Sequence, residues 1–255
     1  KGAFSHITGD AESIDALKRS PVHFYQRPDA DHLGIDAGAS SLDGWAGTAR
    51  FARYGNSKLR WSNMVRWASP GFDLNDIGFL RQADFIINSA NVGYLETDPH
   101  GPFRQWYANV QREDAFDYSG MRTDSMTDLD VSGTFNSKWT LRASLSRLGE
   151  PTDTRLLRGG PAMRKSGFWG TAVGLQSDPS RRVSAGLSMH RHFGAEADTH
   201  EAEVEGSLRW RATQRLSLQT LVAYNRNLDD LQYVDTAHPG GEPRFTMHGN
   251  SMSPT

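Results

Sequence analysis

Lys138-Trp139-Thr140-Leu141-Arg142-Ala143-Ser144-Leu145-Ser146-Arg147 decides the fold class. Trp139, Leu141, Ala143 and Leu145 share one parity; Lys138, Thr140, Arg142, Ser144 and Ser146 share the other. Successive residues of an extended chain point to opposite sides, so this stretch has one apolar and one polar face. The pattern recurs. In Lys58 to Trp67, Leu59, Trp61, Val65 and Trp67 oppose Lys58, Arg60, Ser62 and Arg66. Glu201 to Arg211, Arg182 to His190 and Arg215 to Arg226 alternate in the same way. Gly44 to Tyr54, Ala83 to Leu95, Phe103 to Arg112, Thr127 to Phe135 and Phe168 to Gln176 alternate less cleanly. Roughly ten strands are therefore expected. Several run to about ten residues, the length of a tilted membrane-crossing strand rather than of an ordinary globular one.

The connections between these stretches alternate in length. Gly55-Asn56-Ser57, Glu96 to Pro102, Asn136-Ser137, Ser177-Asp178-Pro179-Ser180 and Ala212-Thr213-Gln214 are short. Ala68 to about Gln82, Glu113 to Met126, Gly149 to Gly167 and Arg191 to His200 are longer. Tight turns on one side and long loops on the other are what an outer-membrane barrel needs. Trp and Tyr recur near the strand ends, as an interfacial girdle requires. The expected fold is thus all-β: an antiparallel up-and-down transmembrane β-barrel, present as a fragment of roughly ten strands. Residues 1–42 are expected to form a loop or plug-like segment before the first strand, 43–226 the barrel strands, and 227–255 a long loop or truncated end. A water-soluble sandwich also alternates faces. Against it stand the dense Arg, Glu and Ser of the polar faces, and the persistence of the loop order.

Composition permits this reading. No apolar run approaches the ~20 residues of a membrane helix. A mean hydropathy of −0.61 does not exclude a barrel, which hides one face of each strand in lipid and keeps its loops and lumen polar. A net charge of −2 argues against nucleic acid as partner. The first expected strand starts, and the last ends, on the long-loop side. With periplasmic termini and an even strand count, further strands of the same chain are expected, at least about twelve in all. The implied partner is outer-membrane lipid, and the expected location the bacterial outer membrane.

Two segments carry a resemblance: Tyr25-Gln26-Arg27-Pro28-Asp29-Ala30-Asp31-His32, and Ser69-Pro70-Gly71-Phe72-Asp73-Leu74-Asn75-Asp76-Ile77-Gly78-Phe79-Leu80-Arg81-Gln82-Ala83-Asp84. With Ser41 to Trp45 and Asp230 to Val234, they resemble an uncharacterised bacterial family. Its members join a family 9 carbohydrate-binding-like module to a large outer-membrane-type β-barrel domain of unknown function. The resemblance implies that location, a link to carbohydrate and an N-terminal module not contained in this stretch. It implies no catalytic residues.

The residues themselves add candidates. Arg27, Asp29, Asp31, Asp73, Asn75, Asp76 and Arg81 gather carboxylates, amides and guanidinium groups in two connecting segments. Such groups suit sugar hydroxyls, which both donate and accept. Paired carboxylates also serve glycoside hydrolysis, although the same residues equally hold turns and pair with Arg. His190 and His192 share a strand face with the glutamates Glu201 and Glu203 close by, a weak transition-metal set that equally reads as a charge network. Arg155, Arg158, Arg164 and Lys165 make the Gly149 to Gly167 loop basic, suited to solvent or to an anion. No phosphate-binding glycine loop, nucleophile elbow, zinc-protease helix or cysteine metal motif occurs, and no cofactor is implied. The expected function is non-enzymatic: transport, or anchoring of a carbohydrate-binding module. A surface glycan hydrolase and a soluble carbohydrate-binding protein are the alternatives.

Overall fold

The computed structural model describes residues 1–55, 57–74, 78–194, 200–228, 232–237 and 244–248. In chain order the elements are β1 (Gly2–Thr8), α1 (Ala11–Lys18), β2 (Ser41–Arg53), β3 (Leu59–Ala68), β4 (Phe85–Glu96), β5 (Phe103–Phe116), β6 (Arg122–Phe135) and β7 (Thr140–Leu148). There follow β8 (Thr152–Asp153), β9 (Met163–Arg164), β10 (Phe168–Gln176), β11 (Val183–Gly194), β12 (His200–Arg211), β13 (Ser217–Leu228), β14 (Gln232–Ala237) and β15 (Arg244–His248). Eleven strands make one up-and-down antiparallel sheet, in the order β1-β2-β3-β4-β5-β6-β7-β10-β11-β12-β13. β8 pairs with β9 and β14 with β15 in two small hairpins.

The sheet is open. Among the described residues β1 and β13 are edges with no ladder between them, so a closed barrel is not what this chain displays. Residues 1–42 are more than a loop: they hold an edge strand and a helix, and β2 already starts at Ser41. β1 escapes the alternation test because its large apolar residues, Phe4 and Ile7, lie on opposite faces. The connection expected over Glu113 to Met126 shrinks to 117–121, because β5 and β6 run on through residues that are polar on both faces; β11 likewise runs on to Gly194, and residues 195–199 lie outside the described residues. Residues 227–255 also contain the β14–β15 hairpin.

Register gives each face its character. Leu59, Tyr94, Ala108, Val131, Ala143, Val173, Met189, Val204 and Tyr224 are cross-strand partners in one rank running from β3 to β13. All nine are apolar or aromatic. The rank one residue away on the opposite face reads Arg60, Gly93, Asn109, Asp130, Ser144, Ala172, His190, Glu203 and Asn225. The apolar face is uncovered: Val131, Val173 and Met189 are 42%, 51% and 53% exposed, in the middle of the sheet. A soluble sandwich buries that face.

What apolar core exists lies at one end of the sheet. Ile14, Phe24, Ala30, Leu33, Phe72, Ala83 and Leu157 are buried, with Leu42 and Ala68 at the strand ends they touch. They belong to connections 9–40, 69–84 and 149–167, which fold together as a cap. α1 opens it, its N-cap Asp10 accepting from Ser13 N–H at 2.7 Å. The cap meets the polar face at this end of the sheet. A Cβ at Gly44, a polar-face position of β2, would fall 2.1 Å from the Phe72 nitrogen, so only glycine lets the 69–84 loop cross there.

Candidate functional site

The cap and the polar face below it form the candidate site. Connections 9–40 and 69–84 are joined through His23, whose side chain is fully buried. Nδ1 donates to the Pro70 carbonyl at 2.7 Å, and Nε2 lies 3.0 Å from Asp73 Oδ2. Ala83 N–H donates to Val22 O at 3.0 Å, and Asp73 N–H to Ser5 Oγ of β1 at 3.1 Å. The third loop joins through Asp29, which accepts from Ala162 N–H at 2.8 Å and from both forks of Arg27 at 3.3 and 3.5 Å. Burial pushes the Asp29 carboxyl up, but the Ala162 N–H and the Arg27 guanidinium outweigh it and hold the group below the usual carboxylate value. Arg155 donates to the Arg81 carbonyl and lies over the Phe24 ring.

These contacts place the residues singled out from sequence. Arg27 and Asp73 are cap interior, 6% exposed each, with their polar groups turned to other cap residues. Asp29 is the clasp between loops. Asp31 and Arg81 are exposed. Asn75 and Asp76 lie outside the described residues. The basic loop is largely neutralised by its own acids: Arg164 pairs with Glu150, and Lys165 lies 3.9 Å from Asp153.

His190 and His192 face Glu203 and Glu201 directly across β11 and β12. His192 Nδ1 lies 2.9 Å from Glu201 Oε2, half-exposed. Among the described residues no set of three metal-capable side chains gathers there; such a set forms instead between the cap and the β5–β6 turn, from His32, Asp84 and Asp117. Spacing in sequence gave no hint of it, because the three come from separate connections.

Below the cap, the polar face forms an open trough of about 460 Å³. Tyr107, Asp130, Arg142, His190 and Glu205 supply its charged and aromatic groups, and Ser132, Ser144, Ser188 and Ser207 its hydroxyls. Alternation places Arg142 and His190 on the polar face, but only register across β7, β10 and β11 shows that they share one concavity. Mixed donors and acceptors over a shallow polar surface match a polyol better than an apolar ligand.

A family model described as a domain of unknown function (DUF5916) matches residues 29–249. The chain belongs to this family. The DUF5916 match takes in β2 to β15, and with them the trough and most of the cap; β1 and α1 precede it. Neither the curated proteins nor the solved structures give a significant match.

Proposed function

We propose that this DUF5916 chain is wall and plug of an outer-membrane β-barrel, acting in transport or in anchoring rather than in catalysis. The observation that carries the reading is the uncovered apolar rank from Leu59 to Tyr224, nine strands wide and backed by a polar rank. Monomeric soluble proteins rarely expose a contiguous apolar surface beyond a few hundred Å². Lipid accepts such a face and demands that every backbone group be paired within the protein. The two open edges, β1 and β13, then pair with each other or with further strands in the membrane.

The cap over the polar face acts as a plug, and the trough beneath it engages a polar solute such as a carbohydrate. Hydrolysis is disfavoured because Asp29 and Asp73, the carboxylates best placed in the loops, are both engaged in holding the cap. The test is fractionation of the full-length protein expressed with its own secretion signal, followed by electrophoresis with and without boiling. An outer-membrane band whose mobility shifts on boiling supports the reading. A soluble product with no shift overturns it.

A further inference from the structure

His32, Asp84 and Asp117 meet where the cap reaches the loop end of β4 and β5. His32 comes from connection 9–40, Asp84 is the residue before β4, and Asp117 the residue after β5. One ligand atom from each lies within 4.8 Å of the other two. His32 Nε2 is 2.9 Å from Asp84 Oδ2. Both acids are buried, Asp84 at 7% and Asp117 at 2% exposure, and among the described residues no lysine or arginine ion-pairs with either.

The hydrogen bonds divide each carboxylate in two. Asp84 Oδ1 accepts from Tyr118 N–H at 3.0 Å, leaving Oδ2 toward His32. Asp117 Oδ1 accepts from Ser119 N–H, Ser119 Oγ and Met121 N–H at 3.0, 2.6 and 3.0 Å. Asp117 Oδ2 is left buried with no hydrogen-bond partner. Turn residues thus hold one oxygen of each acid, as outer-shell donors hold metal-binding carboxylates. An unpartnered anionic oxygen in an almost fully buried side chain, beside a second buried carboxylate, is costly unless a cation sits there.

We propose that His32, Asp84 and Asp117 bind a divalent transition ion of the zinc class, which fastens the cap to the loop end of β4 and β5. One imidazole and two carboxylates suit a borderline ion, and a fourth position remains for water or substrate. An all-oxygen ion such as calcium would not select the histidine. The site owes nothing to the membrane reading, since His32 and Asp84 lie in the cap and Asp117 in the adjoining β5–β6 turn, all outside the strands.

The experiment uses the full chain purified in detergent, stripped with chelator and titrated with zinc or calcium under equilibrium dialysis. Wild-type protein is expected to retain about one zinc, and to gain protection of the 9–40 segment from protease on adding it. Asp117→Asn, which keeps the shape of the turn, and His32→Gln are each expected to weaken retention at least about tenfold. His192→Gln is expected to leave it unchanged. Circular dichroism verifies that each variant retains its strands. No zinc retained by the wild type, retention unchanged in both cap variants, or preference for calcium would each overturn the assignment.

Discussion

The His23 ring lies 3.0 Å from the Asp73 carboxylate and joins two loops fifty positions apart in sequence. With Nδ1 donating to the Pro70 carbonyl, the Nε2 contact must contain one proton, on the imidazole or on the acid. Asp73→Ala removes the partner and leaves a fully buried ring nitrogen unpaired. The expected cost is about 3 kcal/mol of cap stability, the scale for breaking a buried polar pair. Limited proteolysis of residues 9–40 in the wild type and the variant checks it. Equal cleavage rates would show that the pair does not hold the cap.

The close crossing at Gly44 sets a steric prediction. Alanine there puts Cβ 2.1 Å from the Phe72 nitrogen and 2.4 Å from the Gly71 carbonyl carbon, both backbone atoms that cannot rotate away. Gly44→Ala is expected to lift the 69–84 loop at a cost of about 2 kcal/mol or more. Gly206→Ala, on the apolar face with nothing within 4 Å of the added carbon, is the matched control and is expected to change stability by less than about 0.5 kcal/mol. Thermal melts of the two variants separate the effects.

The sheet is legible in the sequence and the cap is not, for a physical reason. A strand announces its faces through nearest neighbours two residues apart, so Trp139 to Leu145 can be read locally. The cap is built from single contacts between distant loops, such as His32 with Asp84 or Asp29 with Ala162, and such contacts leave no period. The loop residues were read as possible ligand groups because Arg, Asp and Asn serve recognition and turn-building alike. Only burial separates the two uses: Asp73 lies inside, while Asp31 faces out. The strand limits within 113–126 are illegible for a related reason. Polar residues such as Glu113 and Asp114 on both parities erase the alternation while the backbone ladder continues to Phe116.

Tyr25 gives the cap an alkaline limit. Burial, and then the negative charge of Asp84, push its hydroxyl up to about 12. The folded value is raised above the unfolded value of about 10, so folding favours the neutral phenol. Its contribution is fully present below pH ~10 and is lost as pH rises toward ~12. Cap stability, followed by protease resistance, is expected to fall over that window, and Tyr25→Phe to remove this share of the fall. A Tyr25→Phe variant with an unaltered alkaline profile would assign the loss to other groups.

The two faces of the sheet make opposite predictions for the same kind of substitution. Val173 sits at mid-rank on the apolar face, between Ala143 and Met189, and is already 51% exposed. Were that face in water, Val173→Arg would be an ordinary surface change, within about 0.5 kcal/mol of neutral. In lipid it places a charge near the bilayer midplane, at a cost of about 2–4 kcal/mol. Ser144→Arg lies one rank away on the polar face, in the trough, where a charge stays hydrated beside its cross-strand partner Asp130. Folding into lipid vesicles, scored by the unboiled band on a gel, is therefore expected to fall sharply for Val173→Arg and little for Ser144→Arg. The reverse order would mean that the apolar rank does not meet lipid, because no soluble packing of this sheet makes a half-exposed valine more sensitive to charge than a trough serine.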